Sequence, residues 1–440
     1  MNMAEELPDP KSAANGVWGM RDWLSDRPWW LSLWAMVAAF GTYFCMYGFR
    51  KPYTAGSFGG PGYWHWDEKT VLLVAQTLGY AVSKFVGIRV ISEMTPERRP
   101  KALLGLILFA HLALLGFAVT PAPWHILCLF LNGLPLGMVF GLVLGFLEGR
   151  RVTEALSAGL CASFILAGGI SKSVGQLILE MGFTERWMPF LSGTVFLFPL
   201  FVFVAMLKCI PEPSEEDRES RSERVPMTRA ERWAFFHRYA VGLIAITTVY
   251  FLVTLMRAIR DDLAPELWRG LGVAASPADF ATTDLVVALA VLAICGLSVW
   301  IGDNRVALLA SLGICLIGFL VLVGTLVTQR TAPMAPQRYM ILVGLGLYLP
   351  YVAIHTTIFE RLIAATRDRG NIGFMMYLVD SIGYLGTVAL LLGKPFLPDG
   401  GEVLPFFQMI GNWIAWVSIA TLIVAIFYFR RLVIASREPT

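Results

Sequence analysis

Apolar runs of about 20 residues, the length a helix needs to cross a bilayer's hydrocarbon core, recur along almost the whole chain. Twelve of them stand near 29–49, 70–92, 102–120, 123–147, 155–181, 187–209, 238–260, 279–301, 305–328, 338–362, 371–393 and 405–429. Backbone groups facing lipid must be satisfied inside their own segment, so each run predicts an α-helix. Alternating ten-residue segments, the signature of an outer-membrane barrel, are missing. The expected fold class is all-α integral membrane, with twelve transmembrane helices.

One long polar interruption breaks the pattern, PEPSEEDRESRSERVPMTRAERW at residues 211–233. It is poor in apolar groups and rich in Pro, Ser and alternating charge, and reads as a flexible or partly helical linker. The expected organisation is a cytoplasmic N-terminal segment (1–28), a six-helix bundle (29–209), a cytoplasmic linker (210–237), a second six-helix bundle (238–430) and a cytoplasmic tail (431–440). Two halves of similar length suit parallel repeats with a central site between them. Residues 1–28 hold no cleavable signal peptide pattern. The stretch from Trp18 to Trp30 reads either as an interfacial amphipathic segment or as an aromatic belt. The Gly-rich stretch AGSFGGPGYWHWDEK (55–69) reads as a lid or, preferably, a turn.

Composition sharpens the class. Of 440 residues 56% are hydrophobic, and mean hydropathy is +0.64. A soluble chain has an apolar share of about 45–50%. Lys and Arg concentrate in alternate connections (Arg98, Arg99 and Lys101; Arg150 and Arg151; Arg361, Arg367 and Arg369; Arg430 and Arg431), which places both termini in the cytoplasm. A net charge of +3 is explained by that topology and implies no nucleic-acid partner. The six cysteines are scattered without a CxxC pair, and neither a disulfide framework, a zinc site nor any other cofactor is expected. No phosphate-binding Gly loop, HExxH or nucleophile elbow occurs, and the chain is not expected to be an enzyme.

The chemistry lies in charge at membrane depth, which costs about 3 kcal/mol or more per residue and persists where it faces a cavity, an anion or a partner. Arg50 and Lys51, in YGFRKPYT, close the first run, and Arg257 closes the first run after the linker. Lys84 sits well inside the second run and Lys172 inside the fifth. Arg257, Arg260 and Asp261 share one helical face. Asp284, His355 and Asp380 fall in the eighth, tenth and eleventh runs, with Tyr377 and Tyr384 about one turn on either side of Asp380. The cations are candidate substrate ligands together with Tyr377 and Tyr384; Asp261, Asp284, His355 and Asp380 are candidate coupling or ion-pair groups. Purely structural alternatives stay open: an Arg257–Asp261 bridge, snorkelling of Lys51 and Arg260 to the outer surface, a packing pair of Lys172 with Asp380 or Asp284, and a hydrogen-bonded buried His355.

FCMYGFRKPYTAG and LGYAVSKFVG resemble the organophosphate:phosphate antiporters of the major facilitator superfamily, which share an Arg-Lys pair ending the first span and a Ser-Lys in the second. Here these are Arg50, Lys51, Ser83 and Lys84. VTLMRAIRDDLAPEL is similar to that family's seventh span, with Arg257 followed five residues later by Asp262. The resemblance implies a major facilitator fold, a bacterial inner-membrane location, and Arg50 and Arg257 holding a phosphate from the two halves. It covers about a tenth of the chain in three short stretches. The chain as a whole resembles a bacterial branch of the superfamily for which the resemblance supplies no substrate. Two departures stand out: Ser163 takes the place of a fifth-span histidine with Lys172 added beyond it, and SEMTPERRPK is only a weak version of the superfamily's cytoplasmic Gly-x-x-x-Asp-Arg-x-Gly loop.

The expected function is secondary active transport of an organic phosphate or similar small anion by alternating access, with exchange for inorganic phosphate as one mode. The expected partners are a small anionic solute and membrane lipid, and the chain is expected to be a monomer. Alternatives are a proton-coupled symporter using Asp380 or Asp284, a transporter-like sensor, and, from the Arg-Asp-Asp run at 260–262, a membrane prenyltransferase-like enzyme.

Overall fold

A computed structural model describes residues 19–435 apart from 61, 93, 148–152, 213–236, 298–300, 359–360, 363–371 and 397–401. Twelve long helices follow in order: α1 (Pro28–Tyr47), α2 (Glu68–Ser92), α3 (Arg99–Val119), α4 (His125–Leu147), α5 (Thr153–Glu180), α6 (Met188–Lys208), α7 (Ala240–Asp262), α8 (Pro277–Leu297), α9 (Asn304–Thr331), α10 (Pro336–Ile358), α11 (Ile372–Gly393) and α12 (Val403–Ala435). Ten of them, all but α5 and α11, combine the length and apolar composition needed to cross a membrane. No strand occurs among the described residues. Nearly all of the 210–237 linker lies outside the described residues, and α12 continues past Arg431 into the stretch expected to be a tail.

Local chemistry sets the helix ends. α1, α3, α6 and α10 carry Pro in their first turn, where its missing N–H costs nothing. Asp303 caps α9 by accepting from the backbone N–H groups of Arg305 and Val306. Pro135 inside α4 precedes a break between Leu136 and Val139. Pro350 inside α10 precedes a π-helical turn, Ile354–Ile358, which carries His355. A proline removes a backbone donor and crowds the preceding carbonyl, so breaks of this kind follow it directly.

The halves are related by a pseudo-two-fold arrangement. Within the first, α2 packs on α4, α3 on α4 and α6, and α1 on α5 and α6; within the second, α8 packs on α10, α9 on α10 and α12, and α7 on α11 and α12. Two large seams join them, α5 on α8 and α2 on α11, and these exchange places under the pseudo-symmetry. At Gly79 and Gly133 a Cβ would lie 2.2 Å from the backbone oxygen of Phe130 and Gln76 respectively, so α2 and α4 approach as closely as they do only because both positions lack a side chain. Gly169 plays the same part in the α5–α8 seam, where a Cβ would stand 2.4 Å from the Phe280 oxygen.

The outward faces carry large exposed apolar side chains such as Leu112, Phe198, Leu289 and Phe427, as a lipid-facing surface requires. Trp29 and Trp30, at the start of α1, are also exposed. A short helix spans residues 19–25, and the Trp23 ring lies 6.4 Å from that of Trp30, tilted by 44°. In the 55–69 stretch a Tyr63–Trp66 bridge closes a turn, and the Trp66 indole donates to the Leu392 carbonyl of α11.

Candidate functional site

Charged groups converge where α1, α2, α5, α7 and α11 meet. α1 ends at Tyr47, and the turn that follows, held by Arg50 and Lys51 backbone N–H groups donating to the Tyr47 carbonyl, carries both cations inward instead of out to the surface. Lys51 is buried and bridges Asp261 at 2.6 Å while also contacting Asp262. Lys172, from α5, meets the other Asp261 oxygen at 2.6 Å. Arg260 contacts Asp284 at 3.1 Å and the Met340 carbonyl. Lys84, from α2, meets Asp380 of α11.

These contacts correct several expectations. Neither Lys51 nor Arg260 snorkels to the outer surface, since both are buried in ion pairs. Lys172 pairs with Asp261, not with Asp380 or Asp284. Arg257 does not bridge Asp261, although the two share a helical face, because Asp261 points to Lys51 and Lys172 across the seam. The Arg-Asp-Asp run is thereby occupied by lysines, and no group of three His, Cys, Asp or Glu side chains suited to a metal occurs among the described residues. Cys45, Cys128, Cys209, Cys295 and Cys315 form no disulfide.

Arg50 and Arg257 differ from their neighbours. Both are 4% exposed, and neither has a carboxylate within 4 Å among the described residues. In each the Nε is buried without a hydrogen-bond partner among the described residues, as it is in Arg260. Tyrosine faces take the place of counter-ions: the Arg50 guanidinium lies 3.8 Å from the Tyr80 ring centre, and that of Arg257 lies 4.3 Å from Tyr351. Tyr384 joins the two, with its ring 5.4 Å from the Arg50 guanidinium and its hydroxyl 3.4 Å from an Arg257 donor. A cation over an aromatic face gains about 0.5–2 kcal/mol, less than a buried charge loses in leaving water. The arrangement thus brings together two fork-shaped donors, one from each half, with no carboxylate within 4 Å of either among the described residues.

A polar chain runs beside them. Asp380 takes Lys84 on one oxygen and the Tyr250 hydroxyl on the other at 2.9 Å. The same hydroxyl lies 3.2 Å from His355 Nδ1. Because the hydroxyl proton goes to the carboxylate, Tyr250 oxygen accepts from an Nδ1–H, which leaves His355 Nε2 as a buried acceptor with no partner among the described residues. Tyr250, Tyr351 and His355 stack within 18° of parallel, and Phe140 and Phe164 of the first half pack on the imidazole. The Tyr377 side chain lies outside the described residues.

The end carrying the α1–α2 and α7–α8 connections is cross-linked by further contacts between the halves. Lys69 meets Glu266 at 2.6 Å, and Ser173 donates to the Pro277 carbonyl at 2.5 Å. Sequence reasoning missed Lys69–Glu266 and the tyrosines Tyr80, Tyr250 and Tyr351. The spacing Tyr80–Lys84, one helical turn, was a usable signal for the first of these. Tyr250 and Tyr351 had none, because aromatic residues are common in any span.

The architecture is that of a major facilitator protein, and solved structures share it across most of their length. A D-xylose–proton symporter aligns over 88% of this chain and 96% of its own, with a TM-score of 0.56 at 15% identity. The nucleoside transporter NupG aligns over 91% and 99%, with a TM-score of 0.55 at 14% identity. The human organic anion transporter MFSD10 aligns over 90% and 99%, with a TM-score of 0.54 at 13% identity. Likeness at such identities establishes the fold alone. The chain belongs to the family of unknown function DUF5690, whose model matches residues 52–432 and so begins just after Arg50 and Lys51. No curated protein matches it.

Proposed function

We propose that the protein is a secondary active transporter that moves an organic phosphate or similar small anion by alternating access, with inorganic phosphate as an exchange partner. One observation carries the reading: Arg50 and Arg257 are buried, come from opposite halves, converge on Tyr384 and have no carboxylate within 4 Å among the described residues. Guanidinium suits phosphate because its planar fork donates two parallel hydrogen bonds and never loses its charge. An anion touching both arginines binds the closed arrangement more tightly than one in which the halves have parted, and that difference is what drives closure. Membership of a transporter fold supports the same reading by analogy.

The test is flux into liposomes loaded with inorganic phosphate. Wild type should exchange labelled phosphate, and Arg50→Lys and Arg257→Lys should each lose most of the rate while remaining folded. Lysine variants that exchange as fast as wild type would sink the phosphate-fork reading.

The Lys84–Asp380–Tyr250–His355 chain supports a second reading, a proton-coupled symporter. It favours Asp380 over Asp284 as the coupling carboxylate, because Asp380 is linked through the Tyr250 hydroxyl to His355, a second titratable group. Uptake that persists unchanged after the proton gradient is collapsed rules this out.

A further inference from the structure

We propose that a groove beside the start of α1 binds one anionic glycerophospholipid, with an acyl chain along its apolar floor and the headgroup phosphate against exposed cations on its rim. The groove has a volume of about 660 Å³, within the range of about 300–1,000 Å³ that holds small-molecule ligands. Met20 and Trp23 of the short helix, Trp30, Leu33 and Val37 of α1, and Met206 of α6 line it. Trp30, Leu33 and Val37 fall three and four residues apart, so they share one face of α1. Its walls are tied together. The Arg21 guanidinium donates to the Lys208 carbonyl at 3.1 and 2.8 Å, satisfying one of the acceptors that the end of α6 leaves open. The Trp34 indole donates to the Met206 carbonyl at 2.9 Å, and Leu24 is fully buried. The short helix is thereby pinned to α6, with the groove between it and α1.

Two features name the occupant. Phe198 and Val202 are exposed and stand in one row with Met206, each four residues from the next, so the groove opens onto the lipid-facing surface of α6. An acyl chain is the apolar group that this surface meets. The rim is cationic: Arg27 is exposed with its guanidinium 4.5 Å from the Trp23 ring centre, and Lys208 is exposed in the last turn of α6. The start of α1 and the end of α6 lie at one membrane boundary, where tryptophans sit at headgroup level and a lipid phosphate meets basic side chains. Asp22 and Asp26 are also exposed nearby, and neither pairs with Arg27 or Lys208 among the described residues. Asp22 stands about 100° round the short helix from Trp23, turned away from the groove.

The experiment is native mass spectrometry of delipidated full-length protein, titrated with phosphatidylglycerol and with phosphatidylcholine of the same acyl chains. The first phosphatidylglycerol should bind about tenfold more tightly than the first phosphatidylcholine, the effect of two basic side chains on an anionic headgroup. Arg27→Gln combined with Lys208→Gln should bring the two lipids level. Arg338→Gln, at the start of α10 and so at the opposite boundary, should leave the preference intact; its loss there would mark bulk attraction to the protein's charge and overturn the proposal. Leu33→Trp fills the groove and should remove the preferred first site for both lipids. Should that variant not fold, the wild type and the two glutamine variants still decide the matter. Equal affinity for the two lipids in the wild type, or a first site that survives Leu33→Trp, overturns the proposal. A dimer that Leu33→Trp dissociates would assign the groove to a second copy of the chain, and lipid uptake only after deletion of residues 2–17 would assign it to the chain's own N-terminal segment. Either result also overturns the lipid site.

Discussion

Arg50 and Lys51 are adjacent, equally buried and equally charged, yet they stand in opposite situations. Lys51 is clasped by two carboxylates of the other half, whereas Arg50 lies on a tyrosine face with no acid within 4 Å among the described residues. One turn of α7 repeats the contrast: Arg260 has Asp284, and Arg257 has only tyrosines. A charge at membrane depth therefore does not by itself mark a ligand site. Lys51, Lys84 and Lys172 join the two halves, Arg260 holds α7 to α8, and Arg50 and Arg257 have no carboxylate within 4 Å among the described residues.

The sharpest way to break this contrast is to strip the paired set of its acid. Asp261→Ala strands Lys172 in a buried seam beside Lys51, which keeps Asp262, and should cost about 3–5 kcal/mol, read as a large drop in melting temperature of the purified protein. The combined Asp261→Ala and Lys172→Met change should recover part of that loss, because one stranded charge leaves with its partner.

Removing an unpaired cation should do the reverse. Arg50→Gln should leave stability within about 1 kcal/mol of wild type, since the lost cation–π contact is offset by relief from burying a lone charge. The same change should lower affinity for phenyl phosphate by about 1.5–3 kcal/mol, measured by titration. Arg50→Gln melting as early as Asp261→Ala would erase the distinction drawn here.

Gly169 sits one turn before Lys172 and lets α5 lie directly on α8. Gly169→Ala should push the seam apart at a cost of about 1–3 kcal/mol, the usual price of overpacking, again seen as a lower melting temperature. The smallest effect is expected for Tyr250→Phe, which removes one hydrogen bond to Asp380 and one from His355. Its stability loss should be about 1 kcal/mol. Phosphate exchange should survive in that variant, and its loss together with proton-driven uptake would favour the symport reading.

The seams differ in a related way. α5 meets α8 through glycine and backbone, with Ser173 bonded to the Pro277 carbonyl. α2 meets α11 through long side chains, Lys84 on Asp380 and Tyr80 against Tyr384 at 4.8 Å. Those long side chains belong to the polar chain and to the tyrosines around Arg50.

Much of this was legible in the chain. A span is a local property, about 20 apolar residues matched to the thickness of a bilayer, so the helices stand close to where the apolar runs placed them, with ends displaced by caps and prolines. Charge is costly in such a setting, so Arg50, Lys84, Lys172, Arg257 and Asp380 were conspicuous from residue type alone. Lys69, Tyr250 and Tyr351 were not, being ordinary residues at a span end or within an aromatic-rich helix.

Helix number, the break into halves and the inventory of buried charges follow from the order of residues, because each depends on neighbours within a turn or a span. Which charge meets which does not. Lys51 and Asp262 lie 211 positions apart, Lys84 and Asp380 lie 296 apart, and Lys172 and Asp261 lie 89 apart. Arg257 and Asp261 are only four apart and remain unpaired, because the packing of α5 and the turn after α1 bring two lysines to that carboxylate first. Ion pairing is settled by distances across the assembled seam, and only tertiary packing sets those distances.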